Sequence, residues 1–302
     1  MMFGRVTAVV LGALLLTCGA AHAEDAPALK IINKGVAFPE GPIYIGNILY
    51  YVGYGGTGVI AWDGRQNKVI FSEQTCGSNS VAKFGEDLLV ACYDGNALVH
   101  IKADGTVVAR ADKATNGSAI VGPNDFASDG KGGVYATASG PWESAPIAGK
   151  VFHVSPDLKV TELADDLHYA NGVVLAPGGK RLLVGESEAQ RIISFAVNDD
   201  GTLSDRRLFL RLNKIDPEAG VDAFPDGIKI GPDGNLWIGQ YSKSRITVVS
   251  PDGQTFIKGY NLPGQACPNV AFAPDGKSLI ATVVDDKSAA PWPGTIYEMS
   301  FQ

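Results

Sequence analysis

Short runs in which apolar and polar residues alternate fill the chain, and Gly, Asp and Asn break them at regular intervals. Alternation of this kind predicts half-buried strands, and the breaks predict the turns between them. The pattern repeats. Asn171-Gly172, Asp226-Gly227 and Asn269 each open an apolar run. Each run reaches a turn about seven residues later, at Pro177-Gly178-Gly179, Pro232-Asp233-Gly234 and Pro274-Asp275-Gly276, and a second apolar run follows. The same unit fits Glu40, Asn79 and Asn124, so six lead positions stand 39 to 55 residues apart. Most units carry a second turn, such as Asp63-Gly64, Asp104-Gly105 and Asp199-Asp200-Gly201. Two turns make four strands per unit. Four-stranded units at a period of roughly 40 to 50 residues predict an all-β fold, a six-bladed β-propeller. The sixth unit ends after three strands. The unpartnered run Leu29–Lys34 is expected to supply its outer strand and so close the ring.

The segment before residue 24 reads differently. A positive start through Arg5, an apolar run over Val6–Ala20 and the small-x-small triplet Ala21-His22-Ala23 predict a secretory signal peptide, residues 1–23. Residues 24–302 are then one propeller domain, periplasmic or secreted, with no membrane attachment after cleavage. Lys plus Arg number 25 against 32 Asp plus Glu, a net charge of −7, so no nucleic-acid partner is expected. The expected partner is a small molecule, and the expected state a monomer. Three cysteines remain after residue 23. Cys76 and Cys92 bracket one hairpin, and two outcomes are open: a disulfide between them, or buried thiols. No CxxC pair or His/Cys cluster supports a structural zinc site.

The lead residues carry the candidate chemistry. In a propeller they open the innermost strands and gather at one mouth of the central channel. Glu40, Asn79, Asn124, Asn171, Asp226 and Asn269 all bear side-chain oxygen. Such a ring suits one hard divalent cation, Ca²⁺ first, with Zn²⁺, Mn²⁺ and Mg²⁺ as alternatives. No Gly-x-Ser-x-Gly elbow and no glycine-rich phosphate cradle are present, which argues against serine hydrolases and nucleotide chemistry.

Four segments extend the reading: Phe38-Pro39-Glu40-Gly41-Pro42, Pro123-Asn124-Asp125, Tyr169-Ala170-Asn171-Gly172-Val173 and Phe224-Pro225-Asp226-Gly227. Together, in this order, they resemble the marker segments of the SMP-30/gluconolactonase/luciferin-regenerating-enzyme family of six-bladed propellers. The resemblance implies that Glu40, Asn171 and Asp226 ligate one catalytic metal. It further implies that Asn124 contributes to metal or substrate, and that Asp226 is the general base of a metal-dependent lactone hydrolase. Family members that act on sugar lactones often carry Arg two residues before the Asn matching Asn124. Gly122 stands there, so a sugar-hydroxyl contact is expected to be missing, with Arg191, Lys243 or Gln240 as its replacement. Phe38, Phe224, Trp142, Tyr54, Tyr241 and His168 are the candidates for the rim. The insertions Gly140–Pro146 and Leu212–Asp222 are expected to select the substrate. Two alternatives stand beside the lactonase: a calcium-dependent organophosphate or aryl-ester hydrolase, since diisopropylfluorophosphatase and paraoxonase propellers have a similar set of one Glu, two Asn and one Asp; and a non-catalytic ligand-binding propeller.

Overall fold

In the computed structural model the chain is described over residues 27–56, 58–142 and 147–301. The signal-peptide expectation, residues 143–146 of the first insertion and Gln302 lie outside the described residues. Six four-stranded antiparallel sheets follow one another along the chain, and each is one blade of a six-bladed β-propeller. Their innermost strands are Pro39–Ile45, Ser78–Phe84, Pro123–Ser128, Ala170–Leu175, Pro225–Ile230 and Val270–Phe272. Each inner strand packs against those of both neighbouring blades around the full circle.

The repeat places turns where the strands end. Gly85-Glu86 joins Ser78–Phe84 to Asp87–Cys92, and Asp63-Gly64 lies between Gly58–Trp62 and Asn67–Phe71. The last blade is closed as the sequence predicts. Ala28–Ala37 pairs antiparallel with Pro293–Ser300, from Ala28 opposite Ser300 to Ala37 opposite Pro293. The two ends of the chain thus share one sheet, and the ring keeps no open seam.

Burial follows from stacking one blade on the next. Six hydrophobic clusters fill the six gaps between blades, for example Val52, Val59, Val90 and Val99 between the first and second. A second strand is covered on both faces, so Ser278–Val284 is buried at every residue. An outer strand such as Val107–Ala111 is largely exposed. Cys76 and Cys92 form a disulfide that ties the entrance of the second blade to the end of its second strand, and Cys267 is a buried free thiol.

The only helix among the described residues is the single turn Leu212–Ile215. Directly after it, Asp216 accepts hydrogen bonds from Arg245 Nε at 2.8 Å and Nη2 at 2.9 Å, both residues being fully buried. That pair pins the insertion Leu212–Asp222 to the fifth blade.

Candidate functional site

The lead residues reach the channel through a recurring irregularity. Strand register slips just after the lead residue in blades one, three, four and five: between Glu40 and Ile43, Pro123 and Phe126, Ala170 and Val173, Pro225 and Ile228. A bulge re-aims the side chain beside it, and here it turns the lead side chain inward. In blades four and five the inner strands converge so tightly that the residue after the lead position has no room for a Cβ. At Gly227 it would lie 2.1 Å from the Asn269 amide, and at Gly172 it would lie 2.2 Å from the Asp226 carbonyl oxygen. This is why Gly follows Asn171 and Asp226.

The six lead residues are not equivalent. Asn269 turns its Oδ1 to the backbone amide of Val270 at 2.9 Å and donates Nδ2 to Glu40 Oε2 at 3.0 Å, so it positions Glu40. Asn79 is half-buried and donates to the Asn124 carbonyl at 3.4 Å. Glu40, Asn124, Asn171 and Asp226 remain, all at most 5% exposed. They line one inner cavity of about 210 Å³.

Two serines orient the amides. Asn124 Nδ2 donates to Ser139 Oγ at 2.9 Å, and Ser139 donates to the Ala170 carbonyl at 2.7 Å. Asn171 Nδ2 donates to Ser187 Oγ at 3.2 Å, and Ser187 donates to the Pro225 carbonyl at 2.6 Å. Each serine stands just past the second strand of its blade and bridges to the next blade. With the nitrogens held, the amide oxygens are left to face inward. Asn171 Oδ1 and Asp226 Oδ1 are buried and have no hydrogen-bond partner. Buried polar atoms without partners are rare, and two of them facing one cavity are what a bound ion or water would satisfy.

Electrostatics agree. Burial pushes the Glu40 carboxyl up to about 8, and Asp125 adds to the rise against the hydrogen bonds from Gly41 and Asn269. Asp226 is pushed well above the usual carboxylate range by burial, then by Glu40 and Asp125. Burial, then Asp226 and Glu40, also push the Cys267 thiol up. Among the described residues no three His, Cys, Asp or Glu cluster, so any cation here must rely on the amide oxygens as well. The donor set of two carboxylates and two oriented amides, with one oxygen of Asp226 and that of Asn171 orphaned, fits a hard divalent cation. Below it, Asp125 pairs with Lys229 Nζ at 3.0 Å, and both line a separate cavity of about 520 Å³ at the opposite mouth.

Above the four residues the wall turns aromatic. An outer cavity of about 330 Å³ shares Phe38, Asn79, Trp142, Tyr169 and Tyr241 with the inner one. Phe38 and Tyr169, each two residues before a lead residue, have left-handed backbones with φ of 44° and 58°. Tyr54, Tyr93 and Tyr241 take the place, just past a second strand, that Ser139 and Ser187 hold in blades three and four.

The rim candidates divide. Phe38, Trp142, Tyr54, Tyr241 and Phe224 line one or both cavities. His168 lines neither; its backbone amide donates to Glu186. The bend that brings Tyr169 inward carries its neighbour away. The insertion Leu212–Asp222 lines neither cavity, because Arg245 holds it outward. The three replacements considered for the missing Arg are engaged elsewhere: Arg191 with Glu186, Lys243 with the Glu218 carbonyl, and Gln240 with Thr247. At Gly122 itself a Cβ would lie 2.6 Å from the Gly140 carbonyl oxygen and 3.0 Å from the Tyr93 ring. Sequence reasoning missed Tyr93, Tyr169 and Trp292 as lining residues. The first two share repeat positions with Tyr54 and Phe38, a signal an alignment of the blades would have shown. Trp292 has no such counterpart.

The family profile described as SMP-30/Gluconolactonase/LRE-like region matches residues 38–285. The chain is 29% identical over 190 residues to the lactonase drp35 of Staphylococcus aureus, which covers 57% of this chain and 54% of the relative. It thus spans about half the length of the first curated relatives it matches. It is 24% identical over 279 residues to the gluconolactonase of Zymomonas mobilis, covering 83% of this chain and 77% of that one. A solved gluconolactonase of Xanthomonas campestris superposes with a TM-score of 0.73 at 22% identity, over 91% of this chain and 89% of the other, which shows the shared fold.

Proposed function

The chain belongs to the SMP-30/gluconolactonase/LRE-like family, and from that premise we propose that it hydrolyses lactones at the inner cavity with the help of one divalent cation, Ca²⁺ first. The observation that carries this reading is the convergence of Glu40, Asn124, Asn171 and Asp226 on one cavity, with Asn171 Oδ1 and Asp226 Oδ1 buried and unpartnered. The names of the relatives support the lactone as substrate.

These four residues would hold the cation. When bound, it supplies a Lewis acid that draws electron density from the carbonyl and favours the charged form of both carboxylates. The protein residues do the rest. Ser139 and Ser187 keep the amide oxygens aimed inward, so the site needs little reorganisation. Asn269 holds Glu40 in place. The aromatic wall keeps bulk water from the reacting carbonyl. Asp226 takes a proton from the water that adds to the acyl carbon. The ring C–O bond then breaks, and the leaving alkoxide takes that proton back from Asp226. Water is consumed and a hydroxy acid is released. The segment Met1–Ala23 supports action outside the cytoplasm.

The test is proton release from a panel of lactones, in EDTA and after Ca²⁺ is restored. Turnover should require the cation and fall roughly 10²–10⁴-fold in Asp226→Asn, the range for loss of a general base. Turnover indifferent to both EDTA and Asp226→Asn would overturn the proposal.

A further inference from the structure

Six aromatic side chains form a closed circuit around the mouth of the site. Ring centroids lie 6.0 Å apart from Tyr93 to Tyr54, 5.6 Å from Tyr54 to Phe38 and 6.2 Å from Phe38 to Tyr241. They lie 5.4 Å apart from Tyr241 to Trp142 and 5.2 Å from Trp142 to Tyr169. The Tyr169 and Tyr93 hydroxyls, 2.9 Å apart, complete the loop. Trp292, which also lines the outer cavity, stacks on Tyr54 at 6.1 Å. Blades one to five supply the six rings of the circuit, and Trp292 adds one from the sixth.

Three of the collar's four hydroxyls, those of Tyr54, Tyr93 and Tyr169, are already engaged by protein partners. The Tyr54 hydroxyl binds Asp94 at 3.0 Å. The Tyr93 hydroxyl donates to the Gly140 carbonyl at 3.1 Å and meets Tyr169. Among the described residues the one cation lining the outer cavity, Lys287, lies 5.2 Å from the Tyr241 ring, with the Tyr241 and Ser242 carbonyls at 3.5 and 3.4 Å. A polyhydroxylated molecule entering here would give up water at each hydroxyl and meet few free partners, and buried polar groups without partners are disfavoured. A flat apolar ring loses nothing of that kind and meets ring faces and edges on all sides. The outer cavity, about 330 Å³, lies at the lower end of the roughly 300–1,000 Å³ typical of small-molecule sites.

We infer that the substrate is a lactone fused to, or bearing, a flat apolar ring that the collar grips while the carbonyl reaches the inner cavity, and not a polyhydroxylated sugar lactone. This rests on the hydrolase reading above for the reaction but not for the binding. Trp142 is the residue to perturb, because it is 51% exposed and no hydrophobic core depends on it.

The experiment compares kcat/KM of the Ca²⁺-loaded protein on three six-membered lactones: benzo-fused, unsubstituted and polyhydroxylated. The fused lactone should lead the unsubstituted one by about tenfold or more, with the polyhydroxylated one last. Trp142→Ala should erase about tenfold of that lead through KM, costing the fused lactone more than the unsubstituted one, and be rescued by Trp142→Phe. A polyhydroxylated lactone in first place, or an equal loss on all three lactones in Trp142→Ala, would overturn the inference. If no lactone turns over, the hydrolase reading fails by itself, and calorimetric binding of a non-hydrolysable benzo-fused lactam decides the collar. Binding weakened about tenfold in Trp142→Ala upholds it, and absence of binding overturns it.

Discussion

Removal of divalent cations with EDTA should make the stability of this protein fall as pH rises from about 5 to 9, and Glu40 sets the size of the effect. An unfolded Glu titrates near 4.5, whereas burial in the inner cavity pushes Glu40 up to about 8. The folded state therefore holds its proton longer than the unfolded state does. Stability is full below about pH 4.5 and is lost as pH rises through about 8. Each pH unit between the two values is worth about 1.4 kcal/mol, so the loss reaches about 5 kcal/mol above pH 8. At about 2 °C per kcal/mol for a domain of this length, Tm should drop by about 10 °C. Asp226 is raised as well, so it adds to the fall with the same sign. Differential scanning fluorimetry across this pH range, in EDTA and in millimolar Ca²⁺, measures it. Ca²⁺ should remove most of the dependence, because a cation between the carboxylates favours their charged forms. Glu40→Gln in EDTA should flatten the fall by more than half, since Asp226 then loses its like-charged neighbour. A metal-free Tm that stays flat or rises from pH 5 to 9, or a slope unchanged in Glu40→Gln, would show that Glu40 is not held protonated by burial.

Two further outcomes follow from the support around the site. Ser187→Ala removes the group that holds the Asn171 amide and links it to Pro225; calorimetric titration should show Ca²⁺ affinity weakened about 10- to 100-fold, the usual effect of removing a residue that orients a metal ligand, with the urea midpoint little changed. Gly227→Ala places a methyl 2.1 Å from the Asn269 amide, so Asn269 must move and release Glu40; urea unfolding should show a loss of about 1–3 kcal/mol, the usual range for overpacking, and Ca²⁺ affinity should fall with it.

Much of this molecule was open to reading one residue at a time. The turn residues at fixed distance from each lead position are local features, and they place the strand breaks. The apolar run at Leu29–Lys34 had no partner in its own unit, and the sixth unit lacked an outer strand, so closure followed by counting. The four ligand candidates were legible for the same reason, because a repeat puts equivalent residues at equivalent depths.

Tertiary structure decided what the repeat could not. Asn269 and Asn124 are the same residue type at the same repeat position. Yet Asn269 bonds to its neighbour's amide and to Glu40, while Ser139 holds Asn124 toward the cavity. Whether an amide oxygen points inward depends on which group takes the amide nitrogen, Ser139 of the same blade for Asn124 and Glu40 of the neighbouring blade for Asn269. His168 was set aside and Tyr169 chosen by one left-handed residue. The insertion at Leu212–Asp222 was drawn outward by a buried ion pair with Arg245, a partner some thirty residues on. The collar is the clearest case. Its rings come from all six blades, and only closure of the propeller brings them within contact of one another. Period and polarity are properties of the chain, so the blades and the kind of atom at their mouth could be read from residue order alone. Orientation and encirclement are properties of packed neighbours, so they arise only in the folded ring.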